Sequence, residues 1–398
     1  MRVEMAPEDE LCLLFARAEL SPEARDRALN LLAGLSDWPR LFQCARRHEI
    51  FPLLYAGLRT LGFPGVPDPV RSEWTKIFRL NAIRNELLAG ELARLLRLLG
   101  DAGIPVMPVK GIALAESLYG DPALRICADI DILVPPERFG EAFHFLLASG
   151  YEAGFTQPAL VALLARYGKD CLLMRQDSAC LYPLQLHCGL IWGGPAERSL
   201  AEEIWSEASR ITFRGVPAFA LSAEWEFLYY AIHAARHGLF PLKWLVDLDR
   251  ICTRGNLDWE RVKEKAKLLG WKRAVQSTLS ACATLLDTPA PALFLATAPP
   301  APVTLKASVP SALQIPRETL FGLRLITSPA GRLRFLAIRL FVPTPGDCRL
   351  VPLPSRLFFL YYALRPLRVA GMVIGWLFQA IWEGIGSGDK RREDGGVA

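Results

Sequence analysis

No two of the nine cysteines form a C-x-x-C pair, and their spacing follows no regular pattern. The usual signatures of a structural zinc site and of a disulfide framework are therefore missing. The number is odd, and Cys12, Cys171 and Cys252 lie in apolar surroundings. The cysteines read as reduced core residues of a cytoplasmic protein. The opening residues MRVEMAPEDE are charged where a secretory signal has its apolar run, so export is not expected. Charge of one sign is also scarce: the net +5 comes from scattered basic residues and gives no stripe for specific nucleic-acid binding. The most apolar segment, Leu357 to Trp382, is broken by Arg365 and Arg368, leaving 14 uncharged residues from Val369. That is short of the roughly 20 that a spanning helix needs. Two placements stay open, a buried helix pair and a peripheral helix on a bilayer surface through residues 355–383.

Disorder is excluded, because 52% of the residues are hydrophobic and 22% charged. A chain of 398 residues has room for two or three units with cores of their own. Helical periodicity runs from residue 8 to about 60, with Ser21-Pro22 as an N-cap and first helical position. A Gly/Pro-rich turn at 62–69 precedes a long helix predicted over 70–101, striped by Leu88, Leu92, Leu95 and Leu99. Gly103 and Pro105 end it. A different pattern follows: a short strand to Lys110, a helix over 111–119, a strand over 129–134, a helix from Pro136 to Ala148, then strands at 171–175 and 181–188. This order predicts a compact mixed sheet with helices.

From these signals the chain divides into an N-terminal helical region (1–103), a small α+β core (104–190) and a helical domain (191–287). A Pro/Ala-rich linker (288–316), an apolar C-terminal helical segment (317–385) and a disordered tail (386–398) complete it.

Within the core, Asp129-Ile-Asp131-Ile places two carboxylates on one face of a strand, although aspartate is depleted from strands. The pair suits a hard cation such as Mg²⁺; an acidic solvent-facing strand is the simpler alternative. Lys110-Gly111 stands where a strand turns into a helix, so free backbone N–H groups and a lysine charge would meet an anionic ligand there. Arg125 adds a second cation nearby. His233 and His237, four apart on a predicted helix, share a face, and packing or a pocket-facing helix explains them better than zinc, which needs more ligands.

Three stretches, Val109-Lys-Gly-Ile-Ala-Leu-Ala-Glu-Ser-Leu-Tyr119, Asp121-Pro-Ala-Leu-Arg125 and Asp129-Ile-Asp-Ile-Leu-Val134, together resemble an uncharacterised bacterial nucleotidyltransferase family of the DNA polymerase β-like superfamily. The likeness covers most of residues 35–255. It implies a small mixed-sheet nucleotidyltransferase core embedded in helical accessory regions. It also implies Mg²⁺ or Mn²⁺ on Asp129 and Asp131, and an NTP cradled by Lys110, Gly111 and Arg125. The hydroxyl-bearing acceptor would be a small molecule, peptide or protein, in natural-product or polysaccharide biosynthesis. One position departs from the pattern. The family's third carboxylate, expected in an Asp-Leu-His segment, is replaced in Leu184-Gln185-Leu186-His187. An amide is no general base near neutral pH. His187, on the same strand face, could substitute, as could Asp170 or Asp177. The alternative is a catalytically weakened, nucleotide-binding scaffold of a biosynthetic complex, cytoplasmic or membrane-associated.

Overall fold

Proline and short polar residues start most of the helices. Ser21 accepts from the Ala24 N–H and Pro22 opens α2, while Asp37 accepts from the Arg40 N–H ahead of α3. In the computed structural model, which describes residues 5–190, 197–295, 319–326 and 329–375, four helices open the chain. They are α1 (Pro7–Ala16), α2 (Pro22–Ala33), α3 (Trp38–Arg47) and α4 (Phe51–Thr60). The 34-residue α5 (Asp68–Asp101) follows, about 50 Å long at 1.5 Å per residue. It ends as expected at Gly103, whose φ of +68° lets Ile104 N–H reach back to the Leu99 carbonyl.

The central sheet has the order β1-β2-β5-β4-β3. β1 (Met107–Pro108) pairs antiparallel with β2 (Ile130–Leu133), which pairs parallel with β5 (Leu181–His187); β4 (Cys171–Gln176) and β3 (Glu152–Ala153) continue antiparallel. Between them run α6 (Gly111–Tyr119), α7 (Phe139–Ala148) and α8 (Pro158–Arg166). The fold is thus α+β with a small mixed sheet, as the sequence pattern predicts. Ile130, Ile132, Leu184 and Leu186 point to one side and are fully buried. Their alternation sends Asp131 and Gln185, which are register partners, to the other side.

After α9 (Glu197–Ser206) the chain makes a hairpin, β6 (Ser209–Phe213) and β7 (Val216–Ala220), inside the region expected to be helical throughout. The two-residue turn Arg214-Gly215, with φ of +47° and +79°, is the signal that the helical reading passed over. Phe219 N–H donates to the Val106 carbonyl, which ties the hairpin beside β1. Helices α10 (Ala223–Arg236), α11 (Lys243–Thr253), α12 (Trp259–Leu268) and α13 (Lys272–Leu286) then pack on α1–α4 in one hydrophobic core. Two helical sets far apart in sequence thereby become one body. Ala18 N–H donates to Asp249, and Arg250 donates to the Ala16 carbonyl.

A second core holds the sheet, the C-terminal part of α5, α7 and α8, and it also takes in Cys348, Phe358 and Tyr361 from the C-terminal segment. All nine cysteines are free and eight are buried, as their apolar context suggested. Most of the expected linker (288–316) and all of the expected tail (386–398) lie outside the described residues.

Candidate active site

The turn from β1 into α6 faces the start of β2. Gly111 has a φ of +60°, and a Cβ placed on it would stand 2.8 Å from the Asp129 carbonyl oxygen and 3.6 Å from Asp131 Oδ2. Both the backbone conformation and the close approach therefore demand glycine. Lys110 precedes it as the N-cap, and its side chain caps nothing. The first N–H groups of the helix thus open beside the two aspartates, with the positive end of the helix dipole.

Asp131 lies at the centre of the charges. Its Oδ1 accepts from Lys110 Nζ and from His187 Nε2, each at 2.9 Å, and only 3% of its side chain is exposed. Burial opposes its ionisation, yet Lys110 and His187 hold the carboxyl well below the usual range. Burial also works against the Lys110 charge, but Asp131 and then Tyr229 outweigh it and hold the ammonium above the ordinary lysine range. The ammonium lies 5.7 Å from the centre of the Tyr229 ring. Asp129 moves the other way: burial, then the charge of Asp131, raises its pKa. Opposite shifts on two neighbouring carboxylates are a frequent mark of functional sites.

Gln185 stands across the strand pair from Asp131. Its Oε1 is buried without a hydrogen-bond partner, an arrangement that costs about 1–3 kcal/mol for a neutral group. Among the described residues no group of three or more His, Cys, Asp or Glu converges on a ready-made metal site. What is present is an oxygen set, two carboxylates and an orphan amide oxygen, and hard cations prefer oxygen donors. Asp177 is engaged elsewhere, accepting from the Ala179 and Cys180 N–H groups in the β4–β5 turn. Asp170 is exposed just before β4, one residue outside the Cys171–Leu186 pair and so level with His187.

Arg125 is buried within the frame of the site. Its guanidinium makes a two-point pair with Asp247, at 3.0 and 2.8 Å, and neither side chain is more than 3% exposed. A further N–H donates to the Gly111 carbonyl at 3.3 Å, so Arg125 underpins the turn from behind. Tyr119 donates to the same Asp247.

Several more polar residues hold this frame. From α5, Asn85 donates to the Pro122 and Arg125 carbonyls, Asn81 to that of Ala123, and Arg84 to that of Ala128. Tyr230 donates to the Val109 carbonyl at 2.6 Å. The one sequence signal for the α5 pair was two asparagines four apart in a leucine-rich helix.

His233 and His237 stand against Trp244, with ring centres of His233 4.6 Å from His237 and 4.5 Å from Trp244. Burial, then the Lys110 charge, pushes His233 down, and burial with Arg236 pushes His237 down to about 4. Both rings are accordingly neutral near pH 7.

Residues 35–287 match a protein family described as uncharacterised nucleotidyltransferase. No curated protein matches the chain. Among solved structures, an antigenic nucleotidyltransferase-like protein from Paracoccidioides brasiliensis is 15% identical, with a TM-score of 0.31. That match covers 50% of this chain and 96% of the other.

Proposed function

The chain belongs to the uncharacterised nucleotidyltransferase family, and from that premise we propose that it moves a nucleoside monophosphate from an NTP to an acceptor hydroxyl, releasing pyrophosphate. The observation that carries this reading is the Gly111 turn, packed close against Asp129 and Asp131 with the start of α6 uncapped by any side chain. In it the α6 amides and Lys110 receive the triphosphate, and Asp129 and Asp131 with Gln185 Oε1 hold Mg²⁺. Bound there, Mg²⁺ supplies charge neutralisation on the phosphates and alignment for in-line displacement. Lys110 pairs with Asp131, so in this reading its ammonium would exchange one anion for another when the nucleotide binds. In this reading His187, bonded to Asp131 through Nε2 at 2.9 Å, would take the proton of the acceptor hydroxyl on its other ring nitrogen.

Titration calorimetry with each NTP tests the binding half. Heat is expected only when Mg²⁺ is present, and Asp129→Ala is expected to abolish it. Metal-independent binding, or binding that survives in Asp129→Ala, would defeat the assignment.

Gln185 in place of a carboxylate favours a second reading, a nucleotide-holding scaffold of a biosynthetic complex. Pyrophosphate release separates the two, measured with a sugar phosphate, a serine-containing peptide and an aminocyclitol as acceptors. For an enzyme, the native chain turns over with at least one of them, and Gln185→Asp raises the rate by about a hundredfold, the lower end of the range for one positioned acid–base group. Release confined to the Gln185→Asp variant would instead establish the scaffold.

A further inference from the structure

We infer that the outer face of the C-terminal helical segment, residues 355–375, docks on an anionic lipid bilayer and lies in its plane. The segment is a continuous helical run of 21 residues with a mean hydropathy of 1.4, yet only 11% of its most apolar window is buried. A core helix of this composition would be covered by protein. Here Leu360, Ala363, Leu367, Ala370, Gly371 and Ile374 recur at three- and four-residue spacing, and all of them are exposed. They form one outward stripe, with Leu367 69% and Ile374 53% exposed.

The charges point the other way. Arg365 and Arg368 both reach inward to Asp347, which is 3% exposed. A helix on a water-facing surface has the opposite arrangement, with charge outward and carbon inward.

Two features favour a lipid surface over other apolar partners. In the segment 329–375, Arg332, Arg334, Arg349 and Arg356 are exposed, while Asp347 is the only acidic residue and is buried. Exposed charge of one sign is complementary to acidic headgroups, which attract each nearby arginine. The sequence beyond residue 375 stays apolar through Trp376 and Trp382, a residue type enriched at membrane interfaces.

The helix is long enough to span, but its inner face is already taken. Tyr361 is fully buried in the same core as the central sheet, and its hydroxyl donates to the Val351 carbonyl while accepting from the Leu353 N–H. Gln157, ahead of α8, donates to the Leu353 carbonyl. Spanning would carry Asp347, both arginines and this attached layer into hydrocarbon, where unsatisfied polar groups are very costly. Lying flat leaves every one of these contacts intact.

Flotation of the full chain with vesicles tests the inference independently of any nucleotide chemistry. One set would be phosphatidylcholine alone, the other would contain about 30 mol % phosphatidylglycerol, an anionic fraction typical of charged leaflets. The native chain should float with the anionic vesicles and about tenfold less with the neutral ones, and raising salt to about 0.5 M should release it. The triple variant Leu360→Asp, Leu367→Asp, Ile374→Asp should stay at the bottom while melting at the native temperature, since all three residues are exposed. Arg332→Gln with Arg334→Gln and Arg356→Gln should lose the preference for phosphatidylglycerol. The inference fails if the native chain floats with neither set, or if the triple Asp variant floats as well as the native chain. It also fails if light scattering finds a native dimer that the triple variant turns into a monomer with no flotation in either form, because the stripe then belongs to a second copy.

Discussion

Replacing Gly111 by alanine is expected to remove metal-dependent nucleotide binding, with at least a hundredfold loss of affinity, about 2.7 kcal/mol or more. Two costs combine at this position. A non-glycine residue at φ of +60° costs about 1–2 kcal/mol. The new Cβ would also stand 2.8 Å from the Asp129 backbone oxygen, a contact with main chain that rotating a side chain cannot relieve. Either the α6 start or the Asp129 end of β2 must move, and the phosphate-facing amides then lose their position relative to both carboxylates. Gly120 provides the control. It closes the same helix at φ of +68°, but a Cβ there would meet nothing within 4 Å. Gly120→Ala should therefore cost stability only, about 1–2 kcal/mol, and leave binding intact. Thermal melts paired with calorimetry distinguish the cases. If both variants lose the same stability and both still bind, the close approach at Gly111 has no functional meaning.

The contrast between these two glycines marks what could be read from the chain and what could not. Local signals were strong where one stretch of sequence decides the outcome. The Ser21-Pro22 start, the end of the long helix at Gly103 and the helix over 111–119 all follow from capping and turn chemistry within a few residues. The same kind of signal was present at Arg214-Gly215 but was outweighed by the helical stretches around it. Within the site, the alternation of Asp129-Ile-Asp131-Ile and of Leu184-Gln-Leu-His187 placed residues on a face correctly. It could not state that parallel pairing sets Asp131 opposite Gln185 and lets His187 share its oxygen. Arg125 is the clearest limit. From sequence it is one more cation close to Lys110, whereas its partner Asp247 is 122 residues away and on α11. A charge that looks available for a ligand is then consumed inside the frame, and no local periodicity records that.

Asp247→Ala is expected to destabilise the fold by about 3–5 kcal/mol, since it leaves the Arg125 guanidinium buried without its counter-charge. Against a total of about 5–15 kcal/mol for a domain, that is enough to lower the melting temperature sharply. Tyr119 loses its acceptor in the same step. Arg125→Met combined with Asp247→Leu removes both charges together, and should restore most of the stability because a buried pair is often no better than packed carbon. Nucleotide binding should not return with it. Arg125 also donates to the Gly111 carbonyl, while its own carbonyl accepts from Asn81 and Asn85, so its side chain ties the α6 turn to the frame built by α5 and α11. Methionine keeps the backbone acceptor but cannot hold Gly111. A double variant that melts like the native chain but binds Mg²⁺–NTP at least tenfold more weakly, a difference of about 1.4 kcal/mol, would make Arg125 a positioning residue for the phosphate turn. If the double variant recovers affinity along with stability, the pair serves the fold alone, and the turn is held by the Tyr230 bond to the Val109 carbonyl without it.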